Sequence, residues 1–178
     1  MVTVTEAYDD LFQNWLFHFK SLQLDMELYV YAEDDYIYQK YKNETHFKLE
    51  RNQFVRSKGL NGQNFNQEAF NKFVNQRPYY MKTLLMKHDN VLHSDVDTVW
   101  LQDPRHYFHG DFDFFAQLDG VIDGHPYFSG YLPYFCTGFL AFRNTRSTMK
   151  LIDEWIIELE KQTQVGRLST LPFLGVDT

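Results

Sequence analysis

Val91 to Pro104 reads VLHSDVDTVWLQDP, apolar at its start, acidic at its end and closed by an Asp103-Pro104 turn. A strand of this pattern places carboxylates at the carboxyl edge of a sheet, where open α/β folds bind their ligands. On a strand, Asp95 and Asp97 share one side, about 6.6 Å apart at ~3.3 Å per residue. Two carboxylates at that separation repel by roughly 2–3 kcal/mol at an effective dielectric of about 20. A divalent cation beside them reverses the sign, whereas buried carboxylates without a cation or base tend to protonate. The spacing alone carries little weight, because with 15 Asp in 178 residues about one Asp-x-Asp triplet is expected by chance. A second copy, Asp111-Phe112-Asp113, follows Gly110 and reads as a solvated strand start. For the first copy, the competing reading is a solvated strand end. Its apolar approach, its small residue Ser94 and the Val99-Trp100-Leu101 run behind it set it apart.

Upstream and downstream of this run, strands and helices alternate. Val2 to Thr5 is a β-branched strand, and Tyr8 to Leu22 carries Phe12, Leu16 and Phe19 at helical spacing. Glu27 to Ala32 (ELYVYA) is a second strand, closed by Glu33-Asp34-Asp35, and a helix follows to about Lys42. Asn43 to Gln67, with Gly59, Asn61, Gly62 and Asn64, reads mainly as loop. Asn66 to His88 reads as helix interrupted at Pro78, which fits the first turn of a new helix. Asp111 to Leu118 and Gly138 to Phe142 are further strands, and a helix from about Thr145 to Gln162 ends the pattern. This alternation predicts an α/β fold with a mostly parallel, mixed sheet flanked by helices, in one domain over residues 1–178.

Composition narrows the function classes. Apolar residues make up 44% and charged residues 23%, as in ordinary globular domains. The net charge is −7, and residues 91–178 hold 6 basic against 12 acidic side chains. Phosphate neutralisation dominates nucleic-acid affinity, so no nucleic-acid partner is expected. The longest uncharged stretch, Pro126 to Phe142, contains Gly130 and Pro133 and is too short to span a membrane. The first ten residues show no secretory signal. A sequon, Asn43-Glu44-Thr45, matters only in a luminal setting. Aromatics make up 18%, which reads chiefly as core packing, and so does the single Cys136. His93, His106 and His109 match no strong zinc spacing.

In that context SDVDTVWLQDP resembles the metal-binding motif of the nucleotide-diphospho-sugar transferase domain family, glycosyltransferases of the Rossmann-like type-A fold. It is similar to the branch that includes plant rhamnogalacturonan xylosyltransferases and extensin arabinosyltransferases. LLMKHDNVLHSDVD extends the resemblance upstream, and DFDFFAQLD and CTGFLAFRNT extend it downstream. VTVTEAYDDLFQNWLFHFKSL followed by ELYVYAED resembles the family's first strand, helix and second strand. Members usually continue past the last helix into an Asp-Gln plus Asn motif. QTQVGRLSTLPFLGVDT lacks it, so the chain reads as C-terminally truncated. An N-terminal Golgi membrane anchor is common in the family, and none is seen here. Golgi lumen is therefore the location implied by resemblance, with a cytoplasmic chain or a fragment as the other expectation.

The resemblance implies transfer of a sugar from a nucleoside diphosphate sugar, with UDP the expected nucleotide, to a glycan or glycoprotein acceptor with retention at the anomeric carbon. Mn²⁺ or Mg²⁺ is the implied cofactor, bridging Asp95, Asp97 and the diphosphate. No Lys or Arg lies between Arg105 and Arg143, so an ion must offset the donor's charge against Asp111, Asp113, Asp119 and Asp123. Candidate nucleotide contacts are Thr3 and Thr5 at the end of the first strand, Asp34 after the second, Lys82 and Asp95. A strand-end hydroxyl, a helix cap and a solvated lysine are the competing explanations. Arg77 is a weaker candidate than Lys82. Asp119 and Gly138 fall where acceptor and donor-sugar contacts are expected by analogy, and no catalytic nucleophile can be assigned. The alternative to an active enzyme is a truncated, inactive relative serving as a binding or interaction module.

Overall fold

A computed structural model describes residues 1–52, 73–122 and 132–164. The chain divides into two compact units, Met1–Arg77 with Ser94–Gly110, and Pro78–His93 with Asp111–Thr178.

In the first unit, strand β1 (Val2–Val4), helix α1 (Asp9–Ser21), strand β2 (Tyr29–Ala32), helix α2 (Asp35–Tyr41) and strand β3 (Lys48–Arg51) follow one another. The sheet order is β1-β2-β3, and both pairs are parallel. Parallel neighbours need a crossover, and α1 and α2 supply them. Every residue of β1 and β2 is buried, Thr3 included, which explains why the two strands are built of β-branched, aromatic and small residues and carry no charge. Helix α1 begins with Asp9 and Asp10 and carries Lys20 in its last turn, charges that complement its dipole. Its inward face is Phe12, Trp15, Leu16 and Phe19. Trp15 stacks on Phe19 at 5.0 Å, and Trp100 meets both rings edge-on at 5.5 and 5.6 Å. Phe12 packs edge-on against Tyr41 and Phe47. Each ring buried in this way is worth roughly 1.5–3 kcal/mol, so much of the chain's aromatic content is spent on its core. Asp9 also joins the two helices, since its carboxylate accepts from Lys40, from Gln13 at 3.1 Å and from Tyr41 at 2.7 Å.

Strand β3 corrects the expectation of a loop over Asn43–Gln67. KLER has no apolar alternation because β3 is an edge strand with Leu49 alone half-buried among exposed neighbours. The remainder of that segment from residue 53, and the start of the expected helix up to residue 72, lie outside the described residues.

The second unit holds α3 (Arg77–Leu85, entered from the first unit at Arg77), β4 (Asn90–Ser94, whose last residue belongs to the first unit), β5 (Phe114–Ile122), β6 (Leu132–Arg143) and α4 (Arg146–Gln164). Pro78 is the second residue of α3, where its missing N–H costs nothing. The sheet order is β4-β6-β5, with β5 and β6 antiparallel. Ala116 faces Leu140 but Gln117 faces Cys136, so the β5–β6 register skips Thr137–Phe139, and a second irregularity falls at Asp119. The core gathers Met81, Leu84 and Leu85 from α3, Leu140 and Phe142 from β6, and Ile152, Ile156 and Leu159 from α4. Cys136, expected in the core, is half-buried on β6. Strand β5 begins three residues later than expected. Asp113 precedes it and ties down α4: its carboxylate accepts from the Thr145 hydroxyl at 2.9 Å, and that hydroxyl accepts from the Thr148 N–H at 3.1 Å. Within the second Asp-x-Asp copy Asp113 is thus a helix anchor, while Asp111 is exposed.

Candidate nucleotide and metal site

Strand β4 stops at Ser94, and Asp95 to Asp97 lie in the turn that follows it. The sequence expectation that the acids share one side of a strand is corrected accordingly. Hydroxyl groups explain the early stop. Ser94 Oγ and Thr98 Oγ1 both donate to the Asp95 carbonyl, at 3.0 and 2.8 Å, and stand 2.9 Å from each other. Such local bonds offer the backbone an alternative to the ladder. Trp100 Nε1 donates to Ser94 Oγ at 3.1 Å. The Ser94 N–H donates to the Met1 carbonyl at 3.1 Å, seating the turn beside β1. Val96 is buried between the two acids.

The two carboxylates differ in kind. Asp95 Oδ1 accepts from the Arg77 guanidinium at 2.5 Å, with 5% of the arginine side chain and 29% of the aspartate side chain exposed. Asp97 is exposed. One acid is held by an internal cation and the other faces solvent. Both offer the hard oxygen donors that Mg²⁺ and Mn²⁺ prefer. Among the described residues no group of three or more His, Cys, Asp and Glu is placed to hold an ion. One or two carboxylates, completed by water and substrate phosphate, is nevertheless the usual way a Mg²⁺-type ion is bound, so the residues present fit such an ion.

The carboxyl edge of the parallel sheet lies in the same unit. Thr5, just past β1, is 1% exposed and its hydroxyl has no hydrogen-bond partner, a state that costs about 1–3 kcal/mol. Thr3 sits in the middle of β1, in register with Tyr31, and not at the strand end as expected. Asp34 caps α2: Oδ1 accepts from the Ile37 N–H at 2.9 Å, and Oδ2 accepts from the Glu6 N–H at 2.7 Å. It therefore links the exit of β1 to the start of α2. Beside it, Glu33 is 1% exposed and accepts from Asn52 Nδ2. Lys82 belongs to the second unit, where its ammonium pairs with Asp153 at 2.6 Å. Asp119 is exposed at its irregularity in β5, and the Gly138 N–H donates to Cys136 Sγ at 3.4 Å. His93 is buried in the second unit, while His106 and His109 are exposed in the first.

The cation on the acidic turn is therefore Arg77, which the sequence reading had ranked below Lys82. Its signal was faint, an Arg-Pro step at a helix start, because the pairing spans 18 positions. Glu33 and Asn52 went unremarked for the same reason, since their bond joins the ends of two strands.

The profile of the nucleotide-diphospho-sugar transferase family matches residues 23–166. A UDP-D-xylose:L-fucose alpha-1,3-D-xylosyltransferase of Arabidopsis thaliana is 33% identical over 106 residues, which cover 55% of this chain and 29% of that protein. A UDP-galactose:fucoside alpha-3-galactosyltransferase of Dictyostelium discoideum is 26% identical over 173 residues, covering 84% of this chain and 27% of that protein. The chain thus spans less than a third of the length of these curated relatives. Among solved structures, the glycosyltransferase GlyE of Streptococcus pneumoniae superposes with a TM-score of 0.53 at 16% identity. The match covers 97% of this chain and 40% of that one, and it establishes the shared fold.

Proposed function

The chain belongs to the nucleotide-diphospho-sugar transferase family, and from that premise we propose that it carries the donor-binding part of a metal-dependent glycosyltransferase. The donor is a UDP-sugar and the acceptor a fucose-bearing glycan or glycoprotein, with retention at the anomeric carbon. Support for the donor and acceptor comes from the relatives, whose names pair UDP-xylose or UDP-galactose with a fucose acceptor. The single observation that carries the reading is the asymmetric acidic turn, with Asp95 fixed by Arg77 and Asp97 left open.

In this reading Asp97 supplies the open ligand for Mn²⁺ or Mg²⁺. Asp95, neutralised by Arg77, keeps the turn from flying apart and directs its remaining capacity to the ion or the donor. When bound, the ion supplies Lewis acidity to the departing diphosphate. The unsatisfied Thr5 hydroxyl at the carboxyl edge supports a polar contact to base or ribose there. Asp34 acts mainly by holding that edge together. No helix among the described residues is long and apolar enough to cross a membrane. A Golgi lumen setting is part of the proposal, as the place where glycan acceptors are presented.

Incubation with UDP-xylose or UDP-galactose and a fucoside, with and without Mn²⁺, tests the reading. Metal-dependent release of UDP that disappears in Asp97→Ala is the expected result. A second reading, a non-catalytic nucleotide-binding module, is favoured by the Arg77–Asp95 pair, which already neutralises one of the acids. Metal-dependent UDP binding without turnover would support it, and absence of both binding and turnover would reject both readings.

A further inference from the structure

Trp100 has no place in the proposed chemistry, yet its indole nitrogen bonds to the hydroxyl pair that closes the acidic turn. We propose that Trp100 is a positioning residue for donor binding. It acts through a relay of hydrogen bonds, Trp100 Nε1–H to Ser94 Oγ and Ser94 Oγ–H to the Asp95 carbonyl, which sets the turn from which Asp97 projects. The inference rests on the proposed donor site and assigns a role within it that no carboxylate performs.

The relay follows from donor counting. An indole N–H can only donate, so at 3.1 Å it makes Ser94 Oγ its acceptor. Ser94 then has one proton to give, and its hydrogen-bond partners are the Asp95 carbonyl at 3.0 Å and Thr98 Oγ1 at 2.9 Å. Thr98 Oγ1 donates to the same carbonyl at 2.8 Å. The carbonyl of Asp95 is thereby held by two hydroxyls while its carboxylate is held by Arg77. With Val96 buried as well, the turn is fixed on three sides and only Asp97 projects freely. Trp100 is itself immobilised by Trp15 and Phe19, so the relay begins from a rigid ring. Ser94 is fully buried, and a change in its hydroxyl orientation cannot be absorbed by water.

Trp100→Phe keeps an aromatic ring against Trp15 and Phe19 while removing the N–H together with part of the indole's bulk, and Ser94→Ala removes the acceptor of the same bond with Trp100 intact. The loss of one neutral hydrogen bond from a positioning chain predicts Mg²⁺·UDP binding weakened roughly three- to tenfold. Indole N–H resonances give a readout that a purely structural role would not move. The chain has three tryptophans, and the Trp100 signal is assigned by its disappearance in Trp100→Phe. In the unsubstituted protein it should shift on addition of Mg²⁺ and UDP, and the shift should vanish in Asp97→Asn. Ser94→Ala should weaken binding to the same degree as Trp100→Phe, with no further loss when the two are combined. An unmoved Trp100 resonance, or full-strength binding in Trp100→Phe, overturns the relay while leaving the donor site standing. Failure of the unsubstituted protein to bind Mg²⁺·UDP overturns the donor site and the relay with it.

Discussion

Asp95 and Asp97 are chemically identical and two positions apart, yet their removal should have very different consequences for stability. Asp95→Ala strips the carboxylate from a guanidinium that is 5% exposed. Breaking a buried ion pair by removing one partner costs about 3–5 kcal/mol. Asp95 itself is 29% exposed, so solvent can partly relieve the stranded charge, and the lower end, about 3 kcal/mol, is expected. For a chain of this size that corresponds to a fall in Tm of roughly 6–12 °C. Asp97 is exposed, and its replacement by alanine should stay within about 0.5 kcal/mol. Urea titration followed by tryptophan fluorescence is the suitable assay, because Trp15 and Trp100 both lie in the unit that contains the turn. A double-mutant cycle with Arg77→Met should return a coupling between residues 77 and 95 of about 1–3 kcal/mol and none between 77 and 97. Equal losses for the two alanine variants, or an Asp95→Ala loss below about 1 kcal/mol, would refute the assignment of Arg77 as the partner of Asp95.

Two further outcomes follow from the same unit. Asp34→Ala deprives the Ile37 and Glu6 N–H groups of their acceptor and should cost about 1–2 kcal/mol; a neutral result in urea titration would mean that the cap contributes nothing. The Glu44 carboxyl is lowered to about 2 from 4.5, first by the His46 ring and then by the His46 and Thr45 backbone N–H groups and Lys20, against the opposing effect of burial. Its stabilisation is therefore fully present above about pH 4.5 and is lost as pH falls toward 2. Glu44→Gln should flatten the acid limb of stability against pH only below about 4.5, and an unchanged limb would contradict this.

The alternation of strands and helices was legible because α1 and α4 each bury one apolar face, which writes helical periodicity into sequence, while β1 and β2 are buried throughout and read as short runs rich in β-branched and aromatic residues. Strand β3 was not legible, since an edge strand reading KLER owes its place to backbone pairing with β2 rather than to side chains. The acidic pair was visible as a motif, but its geometry was not. Whether Asp95 continues the strand depends on the hydroxyls of Ser94 and Thr98 and the indole of Trp100, one, three and five positions from it, and local propensity does not report their convergence. The partnership of Arg77 with Asp95 and the stranded hydroxyl of Thr5 exist only once the chain is folded. Lys82 looked equally suited to an acidic partner and found one in Asp153.

Calorimetric titration of UDP with and without Mn²⁺, on the unsubstituted protein and on Asp97→Asn, tests the central claim most directly. Binding that requires the ion and is lost when one exposed carboxylate becomes an amide is the result predicted. UDP binding of equal strength without metal, or undiminished in Asp97→Asn, would contradict it.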